Sequence, residues 1–331
     1  MPRAAAQKAA LAYPLLVATT LAWGLNAVAG KFAVGHISPL LLTHLRWGGA
    51  FIAALPFAWP YLKQDWPVIR RHAPLLVAYG AIGFTGFNAA LYSALNHTSA
   101  INVVIEQAGM PGVIFALNFL LLRETITARQ LLGFVITVSG VALIVSGGQL
   151  SRLLALDLNR GDALMLVAIT CYGGYTAALR IKPPMHWLSF IAVISATAWA
   201  GSLPFAGWEF ATNTIVWPDA IGLSVVAFAA LVPGLIAQSA FIRGNELIGG
   251  NRAGIFLNLV PIFGTLLSVL LLGERLHVFH VVALTLVLGD SDLVTLNMNV
   301  CAHGTVSQLR EQKSEAGPMA GGWKCFLIAA G

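Results

Sequence analysis

Apolar runs of about twenty residues recur along the chain, separated by short polar punctuation, which is the length an α-helix needs to cross a bilayer. Read with that window, helices are predicted over 11–33, 39–62, 73–95, 100–122 and 130–147. A second set is predicted over 161–180, 187–210, 221–241, 252–272 and 278–298. The runs are continuous and lack the alternation of barrel strands. Inside a membrane each backbone N–H and C=O must be satisfied within its own segment or a closed barrel, so helices are the consistent solution. The predicted fold is an all-α integral membrane protein of about ten transmembrane helices.

The pattern occurs twice. Trp23-Gly24-Leu25-Asn26 with Lys31 aligns with Tyr172-Gly173-Gly174-Tyr175 with Arg180 at an offset of 149. Pro111 and the following Leu120-Leu121-Leu122-Arg123-Glu124 align with Pro261 and Leu270-Leu271-Leu272-Gly273-Glu274 at an offset of 150, and Asn88 aligns with Gln238. A repeat with an odd number of spans must insert upside down relative to its partner, which is the inverted-repeat plan of secondary transporters. The expected organisation is therefore 5+5: a first five-helix repeat over 1–147, a second over 148–289, and a terminal stretch over 290–331. In that last stretch Asp290 and Asp292 interrupt the tenth apolar run. Two readings of 290–331 stay open: a divergent or frame-shifted C-terminus, and a shortened tenth helix followed by a disordered cytoplasmic tail.

Composition agrees. The chain is 58% hydrophobic and 10% charged, with mean hydropathy +0.79, whereas soluble domains carry about 25% charged residues. The net charge of +6 comes from basic residues at helix ends. They form no stripe, so nucleic acid is not an expected partner. With a cytoplasmic N-terminus, the inner segments hold eleven Lys and Arg and the outer loops four. The positive-inside rule then places both termini in the cytoplasm and the chain in a cell inner membrane. Arg3 and Lys8 precede an apolar run too long for a signal-peptide core. Cys171, Cys301 and Cys325 have no metal-ligand spacing, and no cofactor motif appears.

The motifs Leu21-Ala22-Trp23-Gly24-Leu25-Asn26 and Leu95-Asn96-His97-Thr98-Ser99-Ala100, with the paired Pro-to-Leu-Leu-Leu-x-Glu segments at 111–124 and 261–274, resemble EamA-type carriers of the drug/metabolite transporter superfamily. The resemblance spans roughly residues 13–289 and occurs twice. It implies a ten-helix 5+5 bundle, often exporting amino acids or related metabolites.

Polar residues inside spans are costly and mark pathways. His44 and Arg46 fall in the second helix and Glu106 in the fourth; the uncharged set includes Asn26, Thr85, Asn88, Tyr92, Tyr175, Gln238 and Asn258. At 1.5 Å rise per residue, Asn26, Arg46, Asn88 and Glu106 all lie ~8–10 Å below the outer surface. Tyr175, Gln238 and Asn258 share a second level in the inner half. The expected substrate pathway is thus Trp23, Asn26, Arg46, Asn88, Tyr92, Glu106, Tyr175, Gln238 and Asn258. Arg46 and Glu106 are expected to pair when empty and to trade partners with a zwitterionic solute. Glu106 is also the proton-coupling candidate, with uncoupled facilitation equally compatible. His44 has no second ligand at metal spacing and reads as packing. Gly80, Gly83 and Gly86 predict a close helix approach, and Pro111 and Pro261 predict paired bends.

Three function classes compete. A secondary carrier of a small metabolite leads, and the resemblance implies export. A membrane-embedded enzyme needs converging nucleophile, base or metal ligands, and no HExxH, GxSxG or GxxxxGK[ST] motif occurs. A channel or sensory module needs a filter loop or a ring of subunits. The expected partners are a small-molecule solute, bilayer lipid and the coupling proton; a homodimer is compatible with the pattern.

Overall fold

The computed structural model describes residues 2–122, 128–149, 159–248, 253 and 256–288. All regular structure among these residues is helical. Five helices are long and apolar enough to cross a membrane: Ala10–Phe32, Pro39–Arg71, Ala73–Ala94, Trp187–Ala211 and Ala220–Gly244. Leu131–Val145, Leu259–Leu272 and Val278–Leu288 are shorter apolar helices. The chain is a multi-pass membrane protein. The expected tenth helix is described only to Leu288, and the 290–331 stretch and Glu124 lie outside the described residues.

In chain order the elements are α1 (Pro2–Phe32), α2 (Pro39–Arg71) and α3 (Ala73–Ala78). A π-helical segment (Tyr79–Gly86) leads from α3 into α4 (Phe87–Ala94). Then come α5 (Ala100–Gln107), α6 (Met110–Leu122), α7 (Ala128–Val145), α8 (Arg160–Ala178), α9 (Trp187–Ala211) and α10 (Ala220–Leu231). A second π-helical segment (Val232–Ile236) leads into α11 (Ala237–Ile248), followed by α12 (Leu259–Leu272) and α13 (Val278–Leu288). The second apolar run was expected to end near residue 62, but α2 continues to Arg71. Its polar last turns still do work: the Asp65 carboxylate accepts the His186 backbone N–H at 2.9 Å, at the start of α9.

The two repeats are visible in the backbone. The π segments sit in matching positions, and π-helical turns concentrate at functional sites. The run expected as one helix over 100–122 is interrupted at Ala108–Gly109, between α5 and α6. Its repeat mate is interrupted at Leu257–Asn258, just before α12. The two prolines expected to bend helices from within instead lie in the first turns of α6 and α12, where a missing N–H costs least. Broken helices at corresponding positions are the feature transporters use to expose backbone near the membrane midplane.

Glycine contacts repeat as well. A Cβ added to Gly24 of α1 would stand 2.8 Å from the Gly264 backbone nitrogen of α12. One added to Gly173 of α8 would stand 2.9 Å from Val113 of α6. Thus α1 approaches α12 as α8 approaches α6. The senses are opposite: α1 ends where Lys31 Nζ donates to the Leu95 and Thr98 carbonyls at 2.7 Å. At that same end α8 begins, with Asn159 Nδ2 donating to His97 O at 3.0 Å.

The largest helix pair is α2 against α9. Ala50, Ala54 and Ala58 form a fully buried small-residue stripe on α2, which lets the backbones approach without hydrophobic drive from lipid. The expected glycine face is real at Gly80 and Gly83. A Cβ on Gly80 would meet Ala198 N and Ile194 O of α9 at 2.8 Å, and one on Gly83 would meet Tyr175 at 2.5 Å. Backbone atoms cannot rotate aside, so Gly80→Ala should destabilise by about 1–3 kcal/mol through forced separation of α9. A melting curve of the purified variant in detergent checks this; an unshifted curve means the α3–α9 approach has slack.

His36 Nδ1 pairs with Asp219 Oδ2 at 2.6 Å, in the loops at the Lys31 end. Asp219 also caps α10, its Oδ1 accepting Gly222 N–H at 2.8 Å. That backbone bond, followed by His36, holds the carboxyl below its ordinary range.

Candidate functional site

The second helix carries the residue that organises the site. Arg46 is buried, at 3% exposure, two turns into a membrane-crossing helix. Its Nη1 donates to Asn88 Oδ1 and to the Tyr92 hydroxyl, both from α4. Tyr92 in turn donates to Asn26 Oδ1 of α1 at 2.9 Å. Asn88 and Tyr92 share a face because they lie four residues apart on one helix. Asn88 is fixed from behind by its own amide, which donates to Phe84 O at 2.8 Å within the π segment. The guanidinium lies 4.6 Å from the Trp47 ring centroid and 5.6 Å from that of Tyr92, a cation–π cradle. Arg46 Nε has no hydrogen-bond partner, and no carboxylate is ion-paired with the guanidinium among the described residues. From the second repeat, Gly234 of the π segment brings backbone to the site: a Cβ there would stand 3.5 Å from Arg46 Nη2.

Of the residues expected in the outer layer, Asn26, Arg46, Asn88 and Tyr92 therefore meet directly. Glu106 does not join them. It is fully buried in the last turn of α5, and neither carboxylate oxygen has a hydrogen-bond partner. Its electrostatic neighbour is Asp162 of α8, not Arg46, so the expected Arg46–Glu106 pair is absent. The depth estimate put the two at one level, but depth says nothing about azimuth. Arg46 faces α4 and the second π segment, whereas Glu106 faces α8.

The remaining expected residues spread out. Trp23 is half-buried; its Nε1 donates to Pro233 O at 3.3 Å and its ring lies 5.3 Å from Phe241. It thus contacts the second π segment without touching Arg46. Tyr175 is buried in an aromatic cluster with Tyr79, Phe84 and Tyr172, at ring separations of 5.6, 5.3 and 5.3 Å. Gln238 reaches the Tyr172 hydroxyl. Asn258 occupies the N-cap of α12 without a side-chain capping bond. His44 is tied to Ser202 Oγ at 3.0 Å and accepts or shares the Trp199 indole N–H at 3.1 Å, which makes it part of the α2–α9 interface.

Sequence reasoning missed Trp47, Tyr172, Asp162 and Glu209. Trp47 follows Arg46 directly and could have been found as an aromatic beside a buried cation. Asp162 and Glu209 stood near helix ends, where acids are ordinary, so nothing local marked them as buried. Glu209 caps α2: Ser38 Oγ and Leu41 N–H donate to its Oε2 at 2.7 and 2.9 Å, and Leu40 N–H to its Oε1 at 3.0 Å. Glu274 does the same for α5, accepting Ala100 and Ile101 N–H at 2.8 and 2.9 Å. A carboxylate at a helix N-terminus satisfies orphan donors and meets the positive end of the dipole.

A crevice too narrow for a water molecule, lined by Gly30, Ile37, Leu42 and Asn96, reaches Tyr92 from the Lys31 end. A wider apolar groove between α1 and α10, bounded by Leu25, Phe32, Ile221 and Phe228, holds none of the polar cluster.

The EamA-like transporter family matches the chain twice, over residues 10–146 and 159–289. The chain belongs to the EamA-like transporter family. Both matches coincide with the two structural repeats described above. An uncharacterized transporter, YyaM, of Bacillus subtilis (strain 168) is 25% identical over 286 residues, covering 83% of this chain and 90% of the relative. A probable amino-acid metabolite efflux pump of Salmonella typhimurium is 23% identical over 278 residues, covering 79% and 87%. A solved crystal structure superposes with a TM-score of 0.58 at 19% identity, covering 86% of this chain and 96% of that one, which establishes a shared fold. Family members of this kind are transporters, and a transporter implies a small-molecule solute and a lipid surround.

Proposed function

We propose that this family member is a secondary carrier that exports a small carboxylate-bearing metabolite of the amino-acid class across the inner membrane by alternating access. The observation that carries this reading is Arg46. A guanidinium buried in a membrane bundle without an acidic partner is expensive, and a planar fork with a free Nε matches a carboxylate. A solute carboxylate taking Arg46 would release Asn88 Oδ1 and Tyr92, leaving the Asn88 oxygen and the Tyr92 hydroxyl oxygen free to accept an ammonium. The amino-acid class and the export direction are carried over from the Salmonella relative.

The architecture in this reading is ten helices in two inverted sets, 1–147 and 148–289, with 290–331 a cytoplasmic tail and both termini inside. Broken helices and π segments in matching positions support it, because they supply two equivalent places where backbone can move. Trp23, Tyr175, Gln238 and Asn258 then line the same route nearer the inner face, and Glu106 stands beside it.

The test is counterflow. Proteoliposomes holding the purified chain are preloaded with an unlabelled amino-acid mixture, and uptake of labelled amino acids is followed. Saturable counterflow is expected. Product formation without transport would move the chain to the enzyme class, and non-saturating flux to the channels.

A further inference from the structure

Two buried carboxyls face each other away from the Arg46 cluster. Glu106 is fully buried and Asp162 is 3% exposed. Both Glu106 oxygens and Asp162 Oδ1 have no hydrogen-bond partner. Glu106 and Asp162 interact directly, so two ionised carboxylates there would each lack solvation and repel the other.

Among the described residues no cation is paired with them. From α1, Lys31 spends its ammonium on the Leu95 and Thr98 carbonyls, and its charge interacts with Glu274. From α8, Arg160 is exposed. The described part of α12 has no titratable side chain, nor does α7 between Leu131 and Val145. From α13, His280 is neutral by its hydrogen bonds. Its Nδ1 accepts His277 N–H at 3.0 Å, so its Nε2–H donates to Asn102 Oδ1 at 3.0 Å. Asn102 Nδ2 then donates to Thr98 Oγ1 at 3.0 Å, and Asp162 is faced by Thr98, Asn102 and Glu106. The Asn102 oxygen is already taken by His280, so it is not offered to the carboxyls.

We propose that Glu106 and Asp162 share a single exchangeable proton and form the carrier's coupling site, separate from the solute site at Arg46, with His280 positioning Asp162 through Asn102. Like-charged carboxyls at close range cannot both ionise, so one proton is held between them. The coupling role rests on the carrier reading; the proton site itself does not.

Infrared difference spectroscopy of the full chain in lipid, titrated without any solute, tests the site directly. A buried carboxylic-acid C=O band that titrates with pH is expected. Glu106→Gln should lose it, and Glu106→Asp should restore a shifted band. His280→Ala should keep the band and displace its pH midpoint. Loss of the band on adding sodium at constant pH would reassign the site to a metal cation. A band unchanged in Glu106→Gln, or no such band in the wild type, overturns the proposal. Neither result bears on counterflow, so the carrier reading stands or falls separately.

Discussion

Arg46→Ala will abolish saturable counterflow of labelled amino acids, a loss of about a hundredfold or more in exchange at fixed concentration. The size follows from the environment: removing one member of a buried, hydrogen-bonded charge interaction costs about 2–5 kcal/mol. The guanidinium contributes charge, a fork and a cation–π seat between Trp47 and Tyr92. Arg46→Lys retains only the charge and should recover a small part of the exchange, since an ammonium cannot reproduce bidentate binding. The alanine variant should also be no less stable than the wild type when solute is absent, because it removes a buried charge that lacks an acidic partner. Wild-type exchange by Arg46→Ala would remove the solute site from α2 altogether.

Glu209→Ala has the largest expected effect on stability. One carboxylate satisfies the Ser38 hydroxyl and the Leu40 and Leu41 N–H groups. Its removal leaves three donors without partners at a buried helix start, and hydrogen bonds to a charged group are each worth about 1.5–3 kcal/mol. Allowing for partial rescue by water at the helix end, a net loss of about 3 kcal/mol is expected. The apparent melting temperature in detergent should fall by about 6 °C or more. Glu209→Gln keeps two acceptor lone pairs on one oxygen and should lose roughly half as much. An unchanged melting temperature for the alanine variant would mean that the cap at Ser38 is supplied by other groups.

These two residues mark how far the sequence could be read. Arg46 was legible because a basic residue in an apolar run is anomalous on sight. Glu209 was not, because an acid at the end of an apolar run looks like a surface residue. Its role arises only when α9 runs antiparallel to α2, bringing the end of one beside the start of the other. Asp65 makes the reciprocal contact with His186, and it fell outside the run assigned to its helix. Glu106 is the instructive middle case. Its burial and its importance followed from its setting, yet its partner did not, because Asp162 lies on another helix and two apolar runs carry no record of their relative rotation.

What the sequence by itself determined is the class of solution: helices long enough to cross a bilayer, present in two related sets, with a few costly polar groups at computable depths. Those properties are local, set by hydrophobic length and by a rise of about 1.5 Å per residue. Only the tertiary structure decided which polar groups meet. It put Asn88 and Tyr92 on Arg46 with Asn26 behind Tyr92, sent Glu106 to Asp162, and turned two expected bends into helix breaks. The physical reason is that contact between helices depends on azimuth and on close approach at small residues such as Gly24 and Gly80, and neither is written in the periodicity of any one helix.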